Sequence, residues 1–178
     1  MKSIRSVQKY AYALFEIASE EQKLRTYKEQ TEVLLEISYL YPVFYNDLIN
    51  KTIDKAKRKS ILMSILGDKF DYTFLNFISL IIDRDKGNYL RSILKKVLKL
   101  INNGLQIRRV VIHSALELTE QQVNSIKEAM GKKYNCEIEA ELRVDPKMIG
   151  GIRVNFESFE IDGSLQTRLS QIIFENQA

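Results

Sequence analysis

Apolar positions between residues 3 and 103 recur at helical spacing almost without interruption, and the period changes after Gly104. Breaks near Glu20–Leu24, Ser38–Pro42, Asn50–Asp54, Gly67–Asp71 and Asp85–Asn88 divide the first stretch into about six helices. Pro42 suits a first helical turn, where a missing N–H costs nothing. Thr52 or Asp54 is placed to cap the helix carrying Ile61, Leu62, Ile65 and Leu66, and Gly67 to end it. Asp71 precedes the next helix, and Asn102-Asn103-Gly104 closes the last. Short connections between consecutive helices favour a compact bundle.

Beyond Gly104, Ile107, Val110, Val111 and Ile112 form a β-rich run that ends at His113-Ser114-Ala115. Thr119 with Gln122 three residues later reads as a capping box, ahead of a helix lined by Val123, Ile126, Ala129 and Met130. Ile138, Ala140, Leu142 and Val144 alternate with Glu137, Glu139, Glu141 and Arg143, the pattern of a half-buried strand. Asp145-Pro146 turns the chain towards Gly150-Gly151, where absent side chains permit close backbone approach. Ile152, Val154 and Phe156 alternate next, Glu157-Ser158 reads as a tight turn, and Phe159 and Ile161 resume the alternation. Asp162-Gly163-Ser164 offers acceptors to the open N–H groups of a final helix with an apolar stripe of Leu165, Leu169, Ile172 and Ile173. The order is strand, helix, three strands, helix. The expected class is α+β: an all-α six-helix bundle over residues 1–104, then a small α/β domain over 105–178.

Two helices carry more apolar surface than one core face can absorb. Tyr10, Ala11, Tyr12, Ala13, Leu14 and Phe15 are consecutive and sweep through about 500° of a helix. Val7, Tyr10, Leu14 and Ile17 make one stripe; Ile4, Ala11, Phe15 and Ala18 make another. The fifth helix has Phe74, Leu75, Phe77, Ile78, Leu80, Ile81 and Ile82, interrupted only by Asn76 and Ser79. Either such helices are buried all round, or one stripe meets the bundle and a second receives an amphipathic helix from a partner. Ala13, Asn76 and Ser79 are short enough to let a partner backbone approach.

Composition narrows the chemistry. The chain of 178 residues is 45% hydrophobic and 28% charged, ordinary for a globular protein able to bury a core. A single cysteine, Cys136, forms no intramolecular disulfide, and with one histidine, His113, no zinc cluster is expected. Glu16 interrupts the opening apolar run, which therefore reads as a helix rather than a signal peptide. No apolar run approaches the roughly 20 residues of a membrane span, so membrane association is expected only through partners. Lys and Arg outnumber Asp and Glu by 18 to 12 through Gly104, whereas afterwards they number 9 against 11. That asymmetry suggests two modules with different surfaces. Gly150-Gly151 leads into a strand and not into a phosphate-loop lysine, so no nucleotide or other cofactor site is expected. Asp162 and Ser164 read as caps rather than as members of a catalytic triad, and no enzyme is expected. Glu137, Glu139 and Glu141 read as a solvated strand face that could instead meet basic partner side chains. Lys55, Lys57, Arg58 and Lys59, with Lys95, Lys96 and Lys99, raise the alternative of a nucleic-acid-binding helical module. No stacking aromatics are interleaved with them, and nucleic acid is not the expected partner.

Gly150-Gly151, the short hairpin, Ile161-Asp162-Gly163-Ser164 and Arg168-Leu169 resemble the C-terminal signature of the delta subunit of bacterial F-type ATP synthases, the counterpart of the mitochondrial oligomycin-sensitivity-conferring protein. Tyr10 to Ala18, YAYALFEIA, is similar to that family's opening motif, and FLNFISLIIDRDKGNYL to its fifth-helix motif. VVIHSALELTEQQV resembles its strand-to-helix junction. The loop Asp83-Arg84-Asp85-Lys86-Gly87-Asn88 departs from the Asn-Gly-Arg of many members. The resemblance implies a non-catalytic stator subunit at the cytoplasmic face of the cell membrane, supporting the coupling of proton transport to ATP synthesis. It implies that helices one and five form a groove for the N-terminal helix of an alpha subunit, with Tyr10, Ala13, Leu14, Asn76, Phe77 and Leu80 at the matching positions. It implies that the C-terminal domain, with Gly150, Gly151, Asp162, Gly163, Ser164 and Leu169 as its structural signature, holds the b subunits.

Overall fold

The computed structural model describes residues 2–156 and 159–175. The chain divides into two compact units, residues 1–105 and 106–178. The first contains α1 (Lys2–Glu20), α2 (Leu24–Leu40), α3 (Pro42–Ile49), α4 (Lys55–Leu66), α5 (Tyr72–Asp83), a 3₁₀ turn (Gly87–Tyr89) and α6 (Leu90–Gly104). Pro42 occupies the first turn of α3. Asp54 accepts the Ala56 N–H at 2.9 Å and starts α4, whereas the Thr52 hydroxyl donates to Asn50 instead. Asp71 caps α5 through the Thr73 N–H at 2.9 Å.

All six helices contribute to one apolar cluster, with Leu14, Tyr27, Leu34, Leu48, Leu62, Phe74, Ile78, Ile93 and Ile101 closed to solvent. Burying such side chains is the main favourable term in folding, worth about 1.5–3 kcal/mol each. Two polar clasps tie the helices at the rim. In one, Lys23 reaches Asp71 at 2.7 Å and Glu21 at 3.1 Å, and the Tyr27 hydroxyl donates to Glu21 at 2.9 Å. The Lys23 ammonium holds the Glu21 and Asp71 carboxyls below their ordinary range, while burial pushes the Tyr27 phenol up. In the other, Lys55 and Arg58 meet Asp85 at 2.8 and 3.4 Å, and Lys59 meets Asp83 at 3.0 Å. Lys55, Arg58 and Lys59 of α4 are therefore engaged by Asp83 at the end of α5 and Asp85 just beyond it, and Arg58 lies buried.

The second unit follows the order β1 (Ile107–Ser114), α7 (Glu120–Tyr134), β2 (Glu137–Val144), β3 (Ile152–Asn155), β4 (Glu160–Asp162), α8 (Leu165–Glu175). The sheet order is β2-β1-β3-β4. β1 and β2 are parallel across α7, with Ile107 opposite Glu137 and Ser114 opposite Val144. β3 runs antiparallel to both β1 and β4. The capping box forms as its spacing predicts: Gln122 N–H donates to Thr119 Oγ1 and Thr119 N–H to Gln122 Oε1. Val110, Ile112, Met130, Ile138 and Val154 form a second, smaller core. The turn assigned to Glu157-Ser158 lies outside the described residues, as do the side chains of Ile4, Ile172 and Ile173.

Two expectations change. The alternation of β2 buries Ile138, but Leu142 and Val144 are 47% and 49% exposed, because β2 is an edge strand whose far end stays open. Leu169, expected in the structural signature, is 53% exposed, and its neighbour one turn earlier, Leu165, is 44% exposed. The apolar stripe that begins α8 is therefore not sunk into the small core.

Candidate partner-binding groove

One flank of α1 and one flank of α5 meet where Tyr10 touches Phe77. At 100° per residue, Ala11, Leu14 and Ala18 point into the core of the first unit, and all three are fully buried. Tyr10, Ala13 and Ile17 share the next flank; Tyr10 and Ile17 are half-buried and Ala13 is exposed. On α5, Phe74, Ile78 and Ile81 fill the core, Phe77 lies buried at its edge, and Asn76 and Leu80 turn outward. The Tyr10 and Phe77 rings touch edge to face, with centroids 6.4 Å apart and planes inclined at 70°. Phe77 is nearly covered, Asn76 is exposed and Leu80 is 43% exposed. The result is an aromatic floor bordered by an alanine on one helix and a leucine and an asparagine on the other. Farther out on α1, Arg5, Gln8, Lys9, Tyr12, Ala13 and Glu16 line a shallow depression.

Of the six positions singled out in the sequence, Tyr10 and Phe77 are in contact, and Ala13, Asn76 and Leu80 reach the surface. Leu14 does not: it is closed to solvent, since it lies one position on from Ala13 and so points about 100° away, into the core. Ile17, one turn beyond Ala13, shares the flank and was not among the six; its i+4 spacing was the available signal. Tyr72, one turn before Asn76, is 73% exposed on the same side of α5.

The signature of the second unit is a chain crossing. Gly163 N–H donates to the Ile152 carbonyl at 2.9 Å, and Leu165 N–H to the Gly150 carbonyl at 3.0 Å. Gly151 has φ +81°, and a Cβ there would sit 2.5 Å from the Gly163 carbonyl oxygen. Only glycine satisfies both the backbone and the space. Asp162 accepts the Ser164 N–H at 2.8 Å and the Thr167 hydroxyl at 2.9 Å, and Ser164 Oγ accepts the Thr167 N–H at 3.3 Å. The Ser164 amide, followed by the Ser164 and Thr167 hydroxyls, holds the Asp162 carboxyl down to about 2. Their polar atoms are used to start a helix. No group of three or more potential metal ligands occurs among the described residues. No helix among them is long and apolar enough to cross a membrane.

These observations define a two-unit α+β protein with an apolar flank left open on its helical unit. The family of ATP synthase delta (OSCP) subunits matches residues 7–174. The chain is 38% identical over 172 residues to ATP synthase subunit delta of Ureaplasma parvum serovar 3, covering 96% of each. It is 31% identical over 164 residues to the chloroplastic ATP synthase subunit delta of Galdieria sulphuraria, covering 90% of this chain and 91% of that one. Among solved structures, a chain of the Toxoplasma gondii mitochondrial ATP synthase hexamer shares the fold, with a TM-score of 0.66, 14% identity and 97% coverage of both chains. The chain belongs to the ATP synthase delta (OSCP) family. It is a non-catalytic stator subunit, part of the peripheral stalk of an F-type ATP synthase and hence of a membrane-associated complex.

Proposed function

We propose that the six-helix unit, residues 1–104, is the bundle that grips the catalytic head. The flank between α1 and α5 receives the N-terminal helix of an alpha subunit. The observation that carries this reading is the Tyr10–Phe77 floor with Ala13 and Leu80 open beside it. An amphipathic helix laid there covers apolar surface at about 25 cal/mol per Å², offset by the ordering of that helix. Ala13 and Asn76 are short and admit its backbone. The second unit, residues 105–178, holds the end of the b subunits, and the chain resists rotation of the head while the rotor turns. It works at the cytoplasmic face of the cell membrane and reaches the membrane only through these partners.

Ala13→Glu and Leu80→Glu test the groove by titration with a peptide of the alpha-subunit N-terminus. Each places a carboxylate at an apolar contact while the core stays intact. Both variants are expected to lose binding by roughly tenfold or more with unchanged helical signal. Unchanged titration curves for both would remove the groove assignment.

A further inference from the structure

The second unit leaves one long strand edge open. β2 lies at the end of the sheet and, among the described residues, pairs only with β1. The Glu137 N–H donates to the Gln106 carbonyl at 3.0 Å and the Asp145 N–H to the Ser114 carbonyl at 2.8 Å. The pairing between them is continuous, so the odd-numbered residues of β2 turn their peptide groups towards β1. Ala140, Leu142 and Val144 therefore present N–H and C=O to the outside. Residues 141–144 are all exposed. Such an edge is a template for another strand.

The side chains beside this edge select what adds to it. On the face shared with α7, the half-exposed Leu142 and Val144 follow the partly buried Ala140. On the opposite face stand Glu137, Glu139 and Glu141. Glu139 meets Arg109 at 3.1 Å, and the exposed Glu141 meets Arg143 at 2.7 Å and retains capacity for further donors. Next to these glutamates a hollow of about 460 Å³ opens on the same face, with Val111, Asn155 and Phe156 in its lining. Asn155 Oδ1 is buried without a hydrogen-bond partner. Carboxylates and a carbonyl oxygen favour a cation.

We propose that the outer edge of β2 takes up an extended segment of a partner protein in which basic and apolar residues alternate. Its backbone pairs with Ala140, Leu142 and Val144. Its apolar residues cover Leu142 and Val144, and its Lys or Arg side chains lie along Glu141 towards the hollow and Asn155 Oδ1. The proposal makes no use of the α1–α5 flank, and the two are tested by different peptides on different units.

The test uses the full chain and a capped peptide of about nine residues alternating lysine and valine, with a glutamate–valine counterpart as control. Binding of the lysine peptide is expected to slow amide exchange at Ala140, Leu142 and Val144 by roughly tenfold or more. The glutamate peptide is expected to bind roughly tenfold more weakly. Leu142→Pro removes an N–H that the sheet does not use, so it should abolish binding and leave the fold intact; Leu142→Val should bind like the parent. If Leu142→Pro lowers the melting temperature, the exchange pattern and the peptide pair decide by themselves. The proposal is overturned if the lysine peptide fails to bind, if both peptides bind alike, or if protection falls elsewhere. It is equally overturned if a folded Leu142→Pro binds normally, or if the three amides become protected by self-association without peptide.

Discussion

Asp162 shows how much a single side chain can be asked to do. It accepts from the Ser164 amide and the Thr167 hydroxyl at the start of α8, and Arg153 stands 3.5 Å away. Its carboxyl is held down to about 2, below its ordinary 3.8. A depressed carboxyl stabilises the folded chain fully above its unfolded value and loses that contribution as pH falls through the folded one. The stability of the second unit should therefore decline between about pH 4 and pH 2. Asp162→Asn retains an acceptor but not the charge. Its unfolding midpoint should be lower at neutral pH, and its slope with pH in that window shallower than the parent's. Equal slopes, measured by denaturant titration across the window, would show that Asp162 contributes nothing to acid sensitivity.

At the scale of elements, α1 divides its apolar surface between two tasks. Ala11, Leu14 and Ala18 are buried, whereas Ala13 and Tyr12 remain at the surface. Adjacent residues of one helix should thus respond to substitution in opposite ways. Leu14→Ala removes a fully buried side chain and should cost about 2–5 kcal/mol in chemical denaturation, with the folded fraction still binding the alpha-subunit peptide. A stability loss of less than about 1 kcal/mol would mean that Leu14 is not held as tightly as its burial indicates. α4 carries the same lesson for charge. Its basic residues suggested a nucleic-acid surface, but Lys55, Arg58 and Lys59 are paired with Asp83 and Asp85. The Lys55 and Lys59 pairs are partly exposed and worth little in stability, whereas Arg58 is buried and not presented to solvent.

For the molecule as a whole, the two compact units carry separate apolar clusters, one built from all six N-terminal helices and one from the sheet and α7. Separate cores permit separate duties. Deleting the residues from 105 onward should abolish attachment to the b subunits and spare binding of the catalytic head. Pull-down of each partner by the full and shortened chains checks this, and normal b-subunit capture by the shortened chain would refute the division.

Local physics, written in the order of residues, determined the elements. The helix starts at Pro42, Asp54, Asp71 and Thr119 and the strand periods after Gly104 follow from nearest-neighbour sterics and capping, which act over a few positions. Gly151 was legible as a place of close backbone approach, but what approaches it, the Gly163 carbonyl twelve residues on, was a matter of tertiary structure. Tertiary structure alone decided which apolar residues stay in water. Tyr10 to Phe15 read alike in sequence, yet Leu14 is sealed and Ala13 exposed; Ile138 and Leu142 share a strand face, yet only Ile138 is buried. Periodicity assigns a residue to a side of its own element, but burial depends on what packs against that side, and such contacts join residues far apart in the chain.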